Sequence, residues 1–206
     1  MTPVDPVDAP WEPFTPMEVR QLLRPLECPW WVAGGYAIEH AVGRAYRSHS
    51  DVDVLILRRD HTAVRDLLAD WDVWAADPAG TLRPWNRRET LSSAVHDVWI
   101  RPTPATPWKL QLMLDEAHGD DWISRRDSRI RRPVASLTAA TAQDIPFLTP
   151  EVILFYKAIE PREKDTRDLK MVWPSLNPQQ RTWLVEAVST AYGTSSPWYN
   201  WLRAKA

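Results

Sequence analysis

At 206 residues the chain can bury one sizeable core and a smaller second one, so it needs no partner in order to fold. Its 25 Lys and Arg against 27 Asp and Glu leave a net charge of −2, which excludes a global pull toward nucleic acid or an anionic membrane and makes any polyanion site a local one. Cys28, the only cysteine, excludes an intrachain disulfide and fits a reducing cytoplasm. The start MTPVDPVDAP lacks a secretory signal and no apolar run has the length of a membrane span, so the expectation is a cytoplasmic protein with no membrane partner.

Residues 1–16 carry Pro3, Pro6, Pro10, Pro13 and Pro16, which forbid a helix and predict an extended, peripheral tail. A helix then begins at Thr15-Pro16-Met17-Glu18, with Val19, Leu22 and Leu23 on one face, and Pro25 stops it. Residues 30–33 read as a buried strand, Gly34 and Gly35 as a sharp turn, and residues 36–42 as a helix. Val52, Val54 and Ile56 alternate with Asp51, Asp53 and Leu55, the pattern of a strand that projects both carboxylates to one face. Helical spacing follows at 60–69, strands at 71–75, 94–101 and 108–114, and a short hairpin within 120–132. From Thr149-Pro150-Glu151 the pattern becomes helical, with a second helix bearing Asp165 and Asp168 and a last one from Asn177-Pro178 to Gly193.

Paired carboxylates on one strand face can share Mg2+, which clamps phosphate oxygens, and a Gly-Gly turn into a helix N-terminus presents N–H groups to anionic phosphate. In order, the chain has a strand, Gly34-Gly35, the helix residues Ala37, Ile38 and Glu39, a Gly43-Arg44 turn, and Arg47-x-His49-x-Asp51-x-Asp53. This sequence resembles the nucleotidyltransferase superfamily that includes DNA polymerase β, and more closely the aminoglycoside 2″-adenylyltransferases and their lincosamide-modifying relatives. The resemblance implies an α/β (α+β) fold with a mixed sheet and flanking helices. Its divisions are a Pro-rich tail at 1–16, a nucleotidyltransferase core at 17–145 whose sheet and helices extend to about Gln143, and a helical part at 146–206.

The same resemblance implies that an NMP, AMP in these relatives, is transferred from an NTP to a hydroxyl of a small aminoglycoside- or lincosamide-like acceptor. Mg2+ or Mn2+ would be held by Asp51, Asp53 and Asp115, the third carboxylate, which acts as base or metal ligand, with Asp97 as its competitor. Gly34, Gly35, Arg44, Arg47, His49 and Lys157 would hold the nucleotide. A toxin-like enzyme acting on tRNA or protein, and a non-catalytic nucleotide-binding protein, are the alternatives, and a monomer or homodimer is expected. Most of the 13 Trp read as packing residues, with Trp71, Trp74 and Trp99 in strands and Trp183 on a helix face, whereas Trp85 and Trp108 in loops are candidate ligand contacts. The run of residues 125–132, five Arg in eight, reads as a solvated hairpin or a phosphate clamp.

Overall fold

The computed structural model describes residues 6–139 and 144–206. Along the chain lie α1 (Pro16–Leu23), β1 (Trp30–Val32), α2 (Gly34–Val42), β2 (Asp53–Leu57), α3 (His61–Leu67), β3 (Asp72–Ala76), β4 (Leu82–Pro84) and β5 (Asp97–Arg101). Next come β6 (Leu110–His118), β7 (Asp121–Ile123), β8 (Arg131–Pro133), β9 (Thr138–Ala139), β10 (Phe147–Leu148), α4 (Pro150–Lys157), α5 (Glu163–Val172), α6 (Pro178–Tyr192) and α7 (Tyr199–Lys205). Two compact units result: one holds the chain up to Val32 and Ser48–Asp115, the other Ala33–Arg47 and Glu116–Ala206. Gln143, where the sheet and its helices were expected to end, and residues 1–5 of the tail lie outside the described residues.

The first unit is a mixed sheet of strand order β4-β3-β5-β6-β2-β1. Neighbours are antiparallel except β2 and β6, which run parallel. One face is apolar across the central strands: Val54, Val98, Ile100, Leu110, Leu112 and Leu114 are fully buried. Residues of the other face, Asp53, Trp74, Asp97, Trp99, Gln111 and Met113, are half-buried. The period-2 alternation visible at residues 51–56 is therefore the alternation of a sheet covered on one side and part-open on the other. Helix α1 opens with a capping box in which the Glu18 N–H donates to the Thr15 hydroxyl and the Thr15 N–H to the Glu18 carboxylate, and it buries Val19 and Leu23.

The proline-rich segment is not peripheral where it is described. The Trp108 N–H donates to the Pro10 carbonyl, and the N–H groups of Glu12 and Phe14 donate to the carbonyls of Trp108 and Lys109. The indole of Trp108 donates to the Pro6 carbonyl at 2.8 Å, and Trp11 packs edge-on against Trp99 with ring centroids 5.0 Å apart. Prolines lack a donor, but the residues between them keep theirs, so the segment pairs as an edge would. This pairing also overturns the reading of Trp108 as a ligand contact: it is fully buried and the Arg101 guanidinium lies 4.2 Å over its ring. Trp85 is buried as well, its indole donating to the Glu89 carbonyl. Trp71 precedes β3 and is not a strand residue.

In the second unit α4 is the central helix, buried from Pro150 to Phe155, with α2, α5 and α6 packed against it. That packing explains why α2 groups with the C-terminal helices. Glu151, almost wholly buried, accepts from Arg132 at 2.8 Å and from the Gln180 amide at 2.7 Å. The Arg-rich run forms the expected β7–β8 hairpin, in which Arg129 is exposed while Arg132 is drawn into that ion pair. Helix α7 and the short β9 and β10 carry no periodic signal long enough to read from sequence. Among the described residues no helix is long and apolar enough to cross a membrane.

If Trp108 ties the N-terminal segment to the sheet as well as filling the core, Trp108→Ala should cost about 3–5 kcal/mol, the range for emptying a large aromatic site. Urea unfolding followed by fluorescence measures this, and a loss under about 1 kcal/mol would contradict the packing described, since surface changes stay near that range.

Candidate active site

The acidic residues of the first unit are positioned by strand register. Asp53 opens β2 and pairs across the parallel ladder with Gln111, which in turn pairs across the antiparallel ladder with Trp99. Asp51 precedes the strand, yet the Val52 carbonyl accepts from the Gln111 N–H at 3.0 Å, so the ladder runs one residue further back. Burial alternates with it: Asp51 and Asp53 are half-buried, Val52 and Val54 fully buried. The two carboxylates are thus on one side of the chain, as the sequence pattern predicts.

Gln111 is the residue that sequence reading passes over. Its amide donates to the Asp97 carboxylate at 3.0 Å, so one side chain adjoins both Asp53 and Asp97. Its signal is weak: a half-buried polar residue between apolar neighbours in β6. Asp115 pairs with Leu57, four residues up β2 from Asp53, a separation of roughly 13 Å along the strand at the usual rise. Asp97 pairs with Met113, which stands opposite Leu55, so it is offset by two residues, roughly 7 Å along the strand direction, and reached across two strand spacings. Exposure separates the two acids further, because Asp115 is buried beside Leu57 while Asp97, like Asp53, is half-buried.

On the same face a pocket of about 210 Å³ is bounded by Asp97, Trp99, Gln111, the β3–β4 hairpin and Val7. The hairpin is held by Arg83, whose guanidinium bridges Asp77 at 2.8 Å and Glu89 at 2.6 Å. His49 belongs to this unit and is half-buried. Among the described residues no three His, Cys or acidic side chains form a metal cluster. A pair of carboxylates such as Asp51 and Asp53 nevertheless fits Mg2+, which is usually bound by one or two carboxylates with the substrate's phosphates and water completing the shell.

The second unit contains the remaining sequence candidates. Ala33 is the N-cap of α2 and provides no side-chain cap, and Gly34, at φ +57, takes the left-handed conformation that glycine tolerates. The helix thus begins at the glycines rather than after them. Its C-terminal turn is pinned by Glu39, whose carboxylate accepts the N–H groups of Tyr46 at 2.9 Å and Arg47 at 3.2 Å. Arg44, in that turn, is exposed.

Arg47 and Lys157 are drawn into an ion-pair cluster on α5. Arg47 grips Asp168 with two parallel bonds of 2.9 Å from Nε and Nη2, and the Tyr46 hydroxyl donates to the same carboxylate at 2.6 Å. Lys157 lies 2.5 Å from Asp165 and 3.2 Å from Asp168. Burial alone would raise the Asp165 carboxyl, but hydrogen bonds from Arg162 and Lys157 outweigh it and hold the group at about 2. Asp168 is likewise pushed up by burial and brought below its ordinary range by Arg47, Tyr46 and the Lys157 charge. The Tyr46 phenol is raised, first by burial and then by the carboxylate beside it.

Residues 16–172 match the family model of the aminoglycoside-2″-adenylyltransferases. No curated protein sequence matches the chain. Among solved structures, the lincomycin-bound lincosamide antibiotic adenylyltransferase LnuA is similar at TM-score 0.53 and 14% identity, over 78% of this chain and 95% of that one. ANT(2″)-Ia in complex with adenylyl-2″-tobramycin is similar at TM-score 0.54 and 13% identity, over 84% of this chain and 95% of that one. A solution structure of ANT(2″)-Ia is similar at TM-score 0.52 and 15% identity, over 86% and 91% respectively. At these identities the structural likeness concerns the fold.

The ion-pair cluster sets an expectation for Lys157. Lys157→Met should lower stability by about 1–3 kcal/mol, the range for hydrogen bonds to charged groups, because it removes a partner from both buried carboxylates. Acid should act on the same groups. Both folded values lie below the unfolded value of about 4, so their stabilisation is complete above that pH and fades as pH falls, for Asp165 toward about 2. Thermal melting of wild type and variant at pH 7 and pH 3 tests both points. Equal melting at pH 7 would show that the cluster contributes nothing.

Proposed function

The chain belongs to the aminoglycoside-2″-adenylyltransferase family and is a nucleotidyltransferase, and from that premise we propose that it transfers AMP from ATP to a hydroxyl of a small antibiotic-like acceptor. The observation that carries the reading is the half-open end of the sheet face, where Asp53 stands beside Gln111 and Gln111 donates to Asp97. In the reaction the acceptor oxygen attacks the α-phosphorus, the bond from that phosphorus to the bridging oxygen breaks, and pyrophosphate leaves. The acceptor proton passes to a carboxylate.

Asp97 is the better candidate for that carboxylate than Asp115. The support is its bond to Gln111, its half-exposed position and its place in the pocket wall, against the burial of Asp115 beside Leu57. Asp51 and Asp53 are the residues that would hold Mg2+ or Mn2+. The ion, when bound, neutralises charge on the phosphate oxygens and the leaving group. Gln111 orients the Asp97 carboxylate by occupying one of its oxygens. In the second unit, Gly34 and Gly35 start α2 without a side-chain cap and stay candidates, on the family resemblance, for presenting backbone N–H groups to phosphate.

For Arg47 and Lys157 the proposed role changes from direct phosphate contact to holding the α2 turn and α5 in place, in keeping with their shared partner Asp168. Arg44 and His49 remain candidates for nucleotide contact. Loss of the base should lower kcat by about 10²–10⁴-fold, the usual contribution of a positioned proton acceptor. We therefore expect that decrease in Asp97→Asn with folding unchanged, and less than a tenfold decrease in Asp115→Asn. Pyrophosphate release with ATP, Mg2+ and lincomycin or tobramycin as acceptor measures it. Full activity in Asp97→Asn would reject the assignment.

A further inference from the structure

The N-terminal segment has a place in this site that the family match does not include. The match begins at residue 16, whereas the pocket at Asp97 takes part of its wall from Val7. Val7 is 40% exposed, on a short helical turn, Pro6–Asp8. The segment is tied to the residues that lead into β6: the Trp108 indole donates to the Pro6 carbonyl, and the backbone from Pro10 to Phe14 pairs with residues 108–109. Trp11, set edge-on to Trp99, locks the segment beside a strand that itself lines the pocket.

We propose that this segment is the acceptor-facing wall of the pocket, with Val7 as a specificity-determining residue, and that it selects a hydroxylated ring with an apolar flank carrying at most a single amine. The proposal rests on the reading of Asp97 as the proton acceptor, since that places the reacting hydroxyl at the pocket. Charge supports the choice of acceptor. Among the described lining residues Asp97 is the sole carboxylate, and Val7, Ala76, Leu82 and Trp99 are apolar. A polycation would have to leave several ammonium groups against apolar walls without partners, and an unpaired buried charge is costly. Size supports it too. About 210 Å³ is below the roughly 300–1,000 Å³ that encloses a whole drug-sized ligand, so the pocket takes one ring and leaves the rest of the acceptor outside.

Lincomycin, with one amine, and tobramycin, with several, are the probes. Binding of each to wild type, Val7→Trp and Val7→Asp is measured by calorimetry without nucleotide, and transfer from ATP is assayed on the same samples. Because Val7 is partly exposed, both variants are expected to melt with wild type, which circular dichroism checks. The proposal expects wild type to prefer lincomycin, Val7→Trp to weaken lincomycin binding tenfold or more with the ATP KM unchanged, and Val7→Asp to gain tobramycin binding. Equal lincomycin affinity in wild type and Val7→Trp, no lincomycin binding by wild type, or a wild-type preference for tobramycin would overturn it. Lincomycin binding that depends on Val7 but is followed by no AMP transfer would sustain the pocket assignment and defeat the proposed reaction instead.

Discussion

The parallel pairing of β2 with β6 is the constraint on which the site depends. A strand's side chains alternate with period two, so a shift of one residue in this ladder would send Asp53 to the apolar face and Val54 to the open one. The observed register keeps the buried row Val54, Leu112 and Val98 continuous across three strands. The carboxylates are therefore held in place by the hydrophobic row behind them: the valines on either side of Asp53 are fully buried while Asp53 itself is half-buried. Rigid placement of this kind suits a reaction whose catalysis is mostly positioning and electrostatics.

The second unit solves a different problem. Asp168 is fully buried, and a lone buried carboxylate would be costly. Arg47, Tyr46 and Lys157 surround it with donors from two other elements, the turn after α2 and the end of α4. Such a cluster gains little over an apolar core in stability, but it fixes which turn of each helix meets which. Glu39 extends the same control to the backbone of that turn through the N–H groups of Tyr46 and Arg47.

Local signals in the sequence transfer well to the structure. The Thr15 and Asn177 caps, the stripe of α4, the alternation around Asp53 and the hairpin near Arg129 all depend on neighbours within a few residues. Non-local pairing is where sequence reading stops. Nothing near Pro10 indicates that its carbonyl meets Trp108, so the sequence suggests a tail in place of an anchored segment and offers two core tryptophans as ligand contacts. The choice between Asp97 and Asp115 is of the same kind, because both lie on apolar strands and only register and burial distinguish them. Lys157 likewise reads as a nucleotide contact until Asp165 and Asp168 are brought to it by the α4–α5 turn.

The central claim is that Asp51 and Asp53 form the cation-dependent nucleotide site. Titration of Mn2+–ATP into wild type and the Asp51→Asn/Asp53→Asn double variant, followed by the paramagnetic resonance of free Mn2+, tests it most directly. Binding by wild type that falls at least tenfold in a variant of unchanged circular dichroism is the expected result. Equal Mn2+–ATP binding by both proteins would contradict the account.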